Sequence, residues 1–263
     1  MIQKAVTAFL FVWKKFLRLP APAFLLKEFH VSDVPPEHAR TAMPAAGALC
    51  GLILAAGIAL LAALCGAAAS AYAAGLVCAL VLEAAGRWRG LGSAVRFFKL
   101  KRFGAATPQA LAELRADEFF RETDPVSVIT AVFLWLLRAV LFGVLAWQGD
   151  AWWIAGALAG GLFVQSGLSE LPSERTARPF LPVPREFPAG HFIVFGIVLL
   201  LAGILGGHVF RALCCFLAAW GLLYVFRRLL VKDLPGGIRR EHLIFCGYAA
   251  ETVLLAVGLL LLG

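Results

Sequence analysis

The sequence predicts an all-α integral membrane protein, a polytopic helix bundle with about seven spans and a cytosolic N-terminus. Hydrophobic residues make up 61% of the 263 positions and charged residues only 15%, whereas soluble domains carry about 25% charged residues. The mean hydropathy is +0.86. The few charges are gathered in connections between long apolar runs, as expected for helices that cross a bilayer.

One membrane domain over residues 1–263 is predicted, in which residues 1–42 form a basic N-terminal helix and connector and residues 43–263 form the transmembrane bundle. Lysines alternate with aromatic residues in the first part of the chain. This pattern is typical of a helix that lies among lipid headgroups. A short additional span over Met1–Leu19 is the alternative. A cleaved signal peptide is not predicted, because the stretch ends in basic residues and prolines instead of a small-residue cleavage site.

Seven apolar stretches are long enough, or nearly long enough, to span a bilayer. A spanning helix needs about 20 mostly apolar residues, because each residue adds about 1.5 Å across a core of about 30 Å. The fourth and fifth stretches are short, so that a tilt or a re-entrant turn changes the count. The predicted spans are residues 43–64, 67–86, 125–147, 151–169, 190–206, 207–226 and 243–263.

The basic residues predict the orientation of the bundle. All 24 Lys and Arg except Arg138 and Arg211 lie before the first predicted span or in every second connection after it. Cytosolic connections carry such an excess of positive charge. The sequence therefore predicts a cytosolic N-terminus, an external C-terminus and a multi-pass position in a bacterial inner membrane. We expect the net charge of +8 to reflect this orientation and contact with anionic lipid, and we expect no nucleic-acid partner.

Two acidic residues inside apolar runs are candidate functional residues, because charges within spans are costly and usually mark function. Glu251 lies in the last predicted span. One interpretation pairs it with Arg138 or Arg211 to hold the bundle together, and the other places it in a polar cavity at the cytosolic mouth. Glu83, near the end of the second span, has the same two interpretations or extends to the membrane interface. The six cysteines all lie in apolar runs, which favours small buried side chains over disulfides or zinc ligands.

The longest polar interval, residues 86–124, also concentrates acids. Asp117, Glu118, Glu122 and Asp124 lie within eight positions. Carboxylates at this density suit Mg²⁺ bound to a phosphate-bearing substrate. The alternative is a solvated helix face with charge pairs three or four positions apart.

Four short patterns cover nearly the whole chain in order and spacing. Phe16–Pro22 reads F-L-R-L-P-A-P, Met43–Gly51 reads M-P-A-A-G-A-L-C-G, and Ala177–Pro179 reads A-R-P. Gly236–Glu251 begins with two glycines and ends on a glutamate. In these patterns the chain resembles the membrane-embedded cobalamin synthases, the adenosylcobinamide-GDP ribazoletransferases. They have F-[LT]-R-[LI]-P-x-P, then F-P-L-x-G-x-x-x-G at the opening of the first core span, A-R-P after the fourth span and, without gaps, G-G-x-T-G-D continuing to a glutamate.

The acidic motifs of that family are altered here. Where the family has H-L-D-G-x-x-D-x-x-D-G, Val81–Gly90 keeps an acid at Glu83 and has Arg87 at the second aspartate. The family's D-S-R-x-G before the third span is replaced by Glu122–Pro125. Its T-G-D is replaced by Arg239–Glu241.

The resemblance implies transfer of the cobinamide-phosphate moiety to α-ribazole, with release of GMP, at the inner membrane. It further implies Mg²⁺ as the cofactor, and a nucleotide-linked corrinoid and α-ribazole as partners. The implied site residues of an active enzyme are catalytic Glu83, Glu241 and Glu251; phosphate-binding Arg87, Arg239 and Arg240; and metal-binding Glu83, Glu241 and Glu122.

Two alternatives to an active transferase follow from the altered motifs and from the composition. An arginine at a metal-ligand position either removes the metal site or holds the phosphates directly. A catalytically inactive relative that binds a corrinoid, a lipid or a partner enzyme is therefore the second hypothesis. A transporter is the third, and it predicts inverted repeats and broken helices, neither of which the sequence shows.

Overall fold

The computed structural model is helical, and the prediction of an all-α fold is confirmed. Among the described residues there is no strand, only isolated bridges that pair Pro172 with Pro179 and Ser173 with Ile238. The structure describes residues 2–17, 19–21, 23–28, 36–65, 68–86, 89–102, 124–173, 179–181, 189–205, 208–233 and 238–261.

The N-terminal segment packs against the bundle. Helix α1 (Ile2–Val12) continues into a π-helical turn (Trp13–Leu17), and the short helix α2 (Ala23–Glu28) follows. Val12 is fully buried in a small apolar cluster with Met43 and residues of later helices. Lys14 and Lys15 are exposed. The segment is thus amphipathic, as the sequence indicates, whereas its position among lipid headgroups stays a prediction.

The remaining helices make up the bundle. They are α3 (Pro36–Cys65), α4 (Ala68–Ala85), α5 (Arg89–Arg102), α6 (Pro125–Trp147), α7 (Trp153–Leu168), α8 (Gly190–Leu205), α9 (Val209–Asp233) and α10 (Arg240–Leu260).

Within the described residues, four helices (α3, α6, α9 and α10) are long and apolar enough to cross a membrane. Helices α4 and α5 together pass the same test but are bent by 82°, so that the count rises to five if the pair is one span. Helices α7 and α8 are apolar but have 16 residues each, which gives about 24 Å of rise against a core of about 30 Å. The count of seven is therefore not confirmed, whereas a membrane-embedded helix bundle is supported.

The bend between α4 and α5 differs from the sequence-based expectation. The sequence predicted one span followed by a loop and showed no broken helix. In the structure α5 is a second helix that packs back against α6 and α10. This helix was not predicted from the sequence because residues 89–102 are too polar to be identified as part of a span.

Helix α7 lies at the centre of the bundle, and all of its residues are buried. Its main partner is α3, which approaches it backbone to backbone. A Cβ built on Gly47 would lie 2.5 Å from the Leu158 carbonyl oxygen, and one built on Gly51 would overlap the Cα of Ala155. Small residues allow such close helix packing in membranes, where van der Waals contact replaces the hydrophobic effect.

The outer faces of the long helices are apolar. Phe133 on α6 and Phe210 on α9 are exposed, together with many Leu, Ile and Val side chains on the same helices. In a water-soluble monomer, continuous apolar faces of this extent are unusual. They are the expected surface of helices that contact lipid.

We predict that Gly51→Leu destabilises the bundle by about 1–3 kcal/mol or more, because overpacking forces backbones apart. Gly57→Ala on the same helix is the matched control, since a Cβ there meets the Cys78 sulfur at an ordinary 3.7 Å. Thermal unfolding of the purified proteins in detergent measures the difference. Equal midpoints for the two variants would contradict the close α3–α7 contact.

Candidate functional site

Glu83 is buried at the end of α4, with only 4% of its surface exposed. Its Oε2 accepts a hydrogen bond of 3.3 Å from the backbone N–H of Leu91, in the first turn of α5. The glutamate therefore bridges the bend between the two helices. The alternative in which Glu83 extends to the membrane interface is not supported.

Arg138 projects from the middle of α6 between two carboxylates. Its Nη2 lies 2.5 Å from Glu251 Oε2 and its Nη1 lies 3.8 Å from Glu83 Oε1. Arg138 is 3% exposed and Glu251 is 8% exposed. We call Glu83, Arg138 and Glu251 the central ion triad. It joins α4, α6 and α10, and it shows that Arg138 is the partner of Glu251.

Arg211, the other partner considered for Glu251, lies elsewhere. Its Nη1 donates to Asp150 Oδ2 at 3.2 Å, beside the connection between α6 and α7. Its guanidinium carbon lies 5.6 Å from the ring centre of Trp153. The two arginines within predicted spans thus each have an acidic partner, at different depths of the bundle.

Tyr248 covers the central ion triad from α10. The Arg138 guanidinium lies 4.7 Å from its ring centre and 5.2 Å from that of Phe142, within the range of cation–π attraction. Its hydroxyl is buried and has no hydrogen-bond partner among the described residues, although Arg138 is close enough for an electrostatic interaction. A buried tyrosine normally hydrogen-bonds through this group.

A cavity of about 80 Å³ opens beside the triad. Polar and apolar side chains both line it. Glu251 is part of this lining and also belongs to an ion pair, so both interpretations made for it apply. A pocket that encloses a drug-sized ligand measures about 300–1,000 Å³, so this cavity admits only a small group. Its lining residues are Leu17, Gly47, Cys50, Leu82, Glu83, Gly86, Gly90, Arg138, Leu158, Leu162, Gln165, Ile244, Tyr248 and Glu251.

The other site residues predicted from the sequence lie at the start of α10. Glu241 Oε1 is 3.1 Å from Arg96 Nη1 of α5, and Arg240 Nη2 donates to the Lys15 carbonyl oxygen at 2.9 Å. The backbone N–H of Arg239 donates to His242 Nδ1 at 3.1 Å. Arg87 and Glu122 are outside the described residues.

The structure therefore divides the predicted site. Glu83 and Glu251 meet at Arg138, but Glu241 precedes Glu251 by ten positions on one helix, about 15 Å along its axis. Glu241 is paired with Arg96. At this separation along the helix, Glu241 and Glu251 cannot bind the same metal ion. The expectation that these carboxylates act as one catalytic set is not supported by this geometry.

The described carboxylates do not fit a Mg²⁺ site. Mg²⁺ prefers octahedral oxygen coordination, with one or two carboxylates and several waters or phosphate oxygens. Between Glu83 and Glu251 the structure has a guanidinium, a fixed positive charge. No group of three His, Cys, Asp or Glu side chains among the described residues is arranged to hold a metal ion. The proposed ligand Glu122 is not described, and Mg²⁺ stays an untested prediction from the resemblance.

Sequence analysis missed a second buried charge cluster. Arg40 Nη2 forms an ion pair with Glu170 Oε1 and lies 3.2 Å from His191 Nε2. Glu170 Oε2 is 3.3 Å from Arg227 Nη1. The cluster connects the start of α3 to the end of α7 and to α8 and α9. Arg40 was counted only as a basic residue before a span, and nothing local in the sequence indicated a partner 130 positions away.

No family model, curated protein or solved structure matches the chain.

We predict that Arg138→Met lowers the free energy of unfolding by about 3–5 kcal/mol, because it leaves two carboxylates buried without their cation. Arg96→Met is the matched control. It removes the cation of an exposed pair, which contributes at most about 1 kcal/mol. Denaturation in detergent compares the two.

Adding Glu251→Gln to Arg138→Met is expected to restore part of the lost stability, since one unpaired charge is removed. If the two single substitutions have the same effect, or if the double variant is less stable than Arg138→Met, the central ion triad does not stabilise the bundle as described.

Proposed function

We propose that this chain is a multispanning membrane protein of the cobalamin synthase type that binds a phosphate-bearing ligand at its basic end and does not itself catalyse transfer. The observation that carries this proposal is the position of Arg138, whose guanidinium lies between Glu83 and Glu251. The resemblance in four sequence patterns supports the family, and the altered acidic motifs agree with the loss of chemistry.

Phosphoryl transfer depends on positioning and on cations that neutralise charge developing on the transferred group. In the described residues, Glu83 and Glu251 inside the bundle both face the guanidinium of Arg138, and Glu83 also accepts a hydrogen bond from helix α5. The cavity beside them, about 80 Å³, does not admit a nucleotide. A nucleotide-linked corrinoid can therefore contact only the mouth of the cavity and the surface around it.

That surface is basic. Among the charged side chains whose burial the structure describes, the exposed ones are all lysines or arginines, and the acids are buried or half-buried. Contacts between Arg240 and Lys15, and between Arg96 and Glu241, join the π-helical turn after α1 to α10, and α10 to α5, there. We call this region the basic end. Its described exposed members are Lys14, Lys15, Arg96, Arg227, Arg228, Lys232 and Arg240.

The proposal includes the orientation and the span count. The basic end faces the cytosol of a bacterial inner membrane, by the distribution of Lys and Arg. Helices α7 and α8 count as spans although they are short, because neighbouring helices surround α7 completely and shield it from lipid. Counted in this way, the α4–α5 pair included, the chain has seven spans and an external C-terminus.

We expect the purified protein in detergent to release no GMP from adenosylcobinamide-GDP in the presence of α-ribazole and Mg²⁺. An active ribazoletransferase assayed in parallel is the positive control. GMP release that is lost in Glu83→Gln would overturn the non-catalytic assignment and support the transferase.

Binding is tested separately. Equilibrium dialysis is expected to show that adenosylcobinamide-GDP binds, and that Arg239→Ala with Arg240→Ala weakens binding about fivefold or more, since each basic residue near a phosphate contributes about 1 kcal/mol. Lys4→Ala, which removes an exposed charge near the other end of α1, is the control. Binding to anionic lipid vesicles without binding of the corrinoid would contradict the assigned ligand.

A further inference from the structure

We propose that the cavity beside the central ion triad is a binding site for a small monovalent cation, an alkali-metal ion or ammonium. This site is separate from the basic end and does not depend on the function proposed above. Four observations carry it: the local charge, the oxygen atoms without close partners, the bend between α4 and α5, and the size of the space.

The charges around the cavity do not balance. Two carboxylates, Glu83 and Glu251, face one guanidinium, Arg138. The N-terminus of α5 adds a partial positive charge near Glu83, equivalent to about half an elementary charge. A negative surplus remains in a region shielded from water, where an uncompensated charge is costly. A monovalent cation bound in the cavity offsets this surplus.

Glu83 and Tyr248 both line the cavity, and their oxygen atoms lack close partners. Glu251 has a short contact with Arg138, whereas among the described residues Glu83 has a 3.8 Å contact with Arg138 and a hydrogen bond of 3.3 Å from Leu91. A buried carboxylate ordinarily has closer partners than these. The hydroxyl of Tyr248 has no hydrogen-bond partner among the described residues and also lines the cavity.

Gly90 allows the first turn of α5 to pack directly against these two residues. A Cβ built at this position would lie 2.5 Å from Glu83 Oε1 and 2.8 Å from the ring edge of Tyr248. Any larger side chain would push Glu83 or Tyr248 out of place, and both residues line the cavity. The carboxylate supplies the negative charge that attracts a cation.

The bend places this pocket at a discontinuous helix. Irregular backbone at membrane depth is tolerated where it is buried in protein or lines a cavity. Membrane transporters bind ions at such breaks, where helix ends and freed backbone groups face the ion. Glu83, Gly86 and Gly90 flank the break and line the cavity.

Size and charge favour a monovalent ion over Mg²⁺. The cavity of about 80 Å³ has room for a small ion together with water, whereas Mg²⁺ needs fixed octahedral oxygen coordination, which the guanidinium between the two carboxylates interrupts. Water that enters with the ion also supplies an acceptor for the buried Arg138 Nε–H, which has no partner among the described residues.

The test is a thermal unfolding series on the full-length protein in detergent, dialysed into choline chloride. NaCl, KCl or NH₄Cl replaces choline chloride at constant ionic strength, and unfolding is followed by tryptophan fluorescence. We expect at least one small cation to raise Tm saturably by about 2–4 °C. Comparison of the three salts distinguishes alkali-metal ions from ammonium, and MgCl₂ at the same ionic strength is expected to have no larger effect than choline.

Variants locate the site. Glu83→Gln is expected to abolish the cation-dependent rise in Tm, and Tyr248→Phe to shift its midpoint to higher salt. Gly90→Ala, whose Cβ would displace Glu83 and Tyr248, is expected to reduce the rise and replaces Glu83→Gln if that variant does not fold. Glu241→Gln is the matched control, since it neutralises a half-exposed glutamate paired with Arg96, and it is expected to keep the full response.

Three results overturn the proposal. One is a wild-type Tm that no small cation changes relative to choline, which indicates that a proton neutralises the triad. Another is a rise that survives Glu83→Gln, or both Gly90→Ala and Tyr248→Phe. The third is a larger response to Mg²⁺ than to every monovalent cation.

Discussion

The guanidinium of Arg138 is the constraint on which the arrangement of the bundle depends. A charged side chain in the middle of a 23-residue apolar helix is costly unless it is paired and hydrogen-bonded. Its two carboxylate partners come from α4 and α10, so that satisfying one cation fixes the relative depth and rotation of three helices. Two opposite charges can meet at many relative positions of two helices that slide past each other. Three buried charges can meet at only a few relative positions of their three helices.

The packing around the triad follows from this constraint. Glu251 reaches Arg138 because Gly161 of α7 has no side chain, and a Cβ there would overlap the glutamate's own carbons. The same helix is short and wholly buried, so its length need not match the bilayer. The small residues of α7 therefore serve two needs, close contact with α3 on one side and room for a buried acid on the other.

The all-α class and the collection of basic residues in every second connection could be predicted from the sequence. A bilayer restricts both the composition of the helices that cross it and the positions of their charged residues. The pairing of Glu251 with Arg138 was one of two candidates. The sequence shows which charges lie in apolar runs but not how far each helix is rotated. The Arg40–Glu170 pair joins residues 130 positions apart, and its partners are recognisable only when α3 and α7 are adjacent. Helix α5 was missed because a polar helix that packs inside a bundle has the composition of a loop.

The same two facts, the bend after α4 and the triad, also give Glu83 a structural role. In this chain Glu83 accepts a hydrogen bond from the first turn of α5 and faces Arg138. Its charge is therefore part of the fold whether or not the chain performs chemistry. Arg138 compensates only part of the negative charge of the two glutamates, and the remainder has no role in folding. A bound cation fits this remaining charge, the size of the cavity and its oxygen atoms.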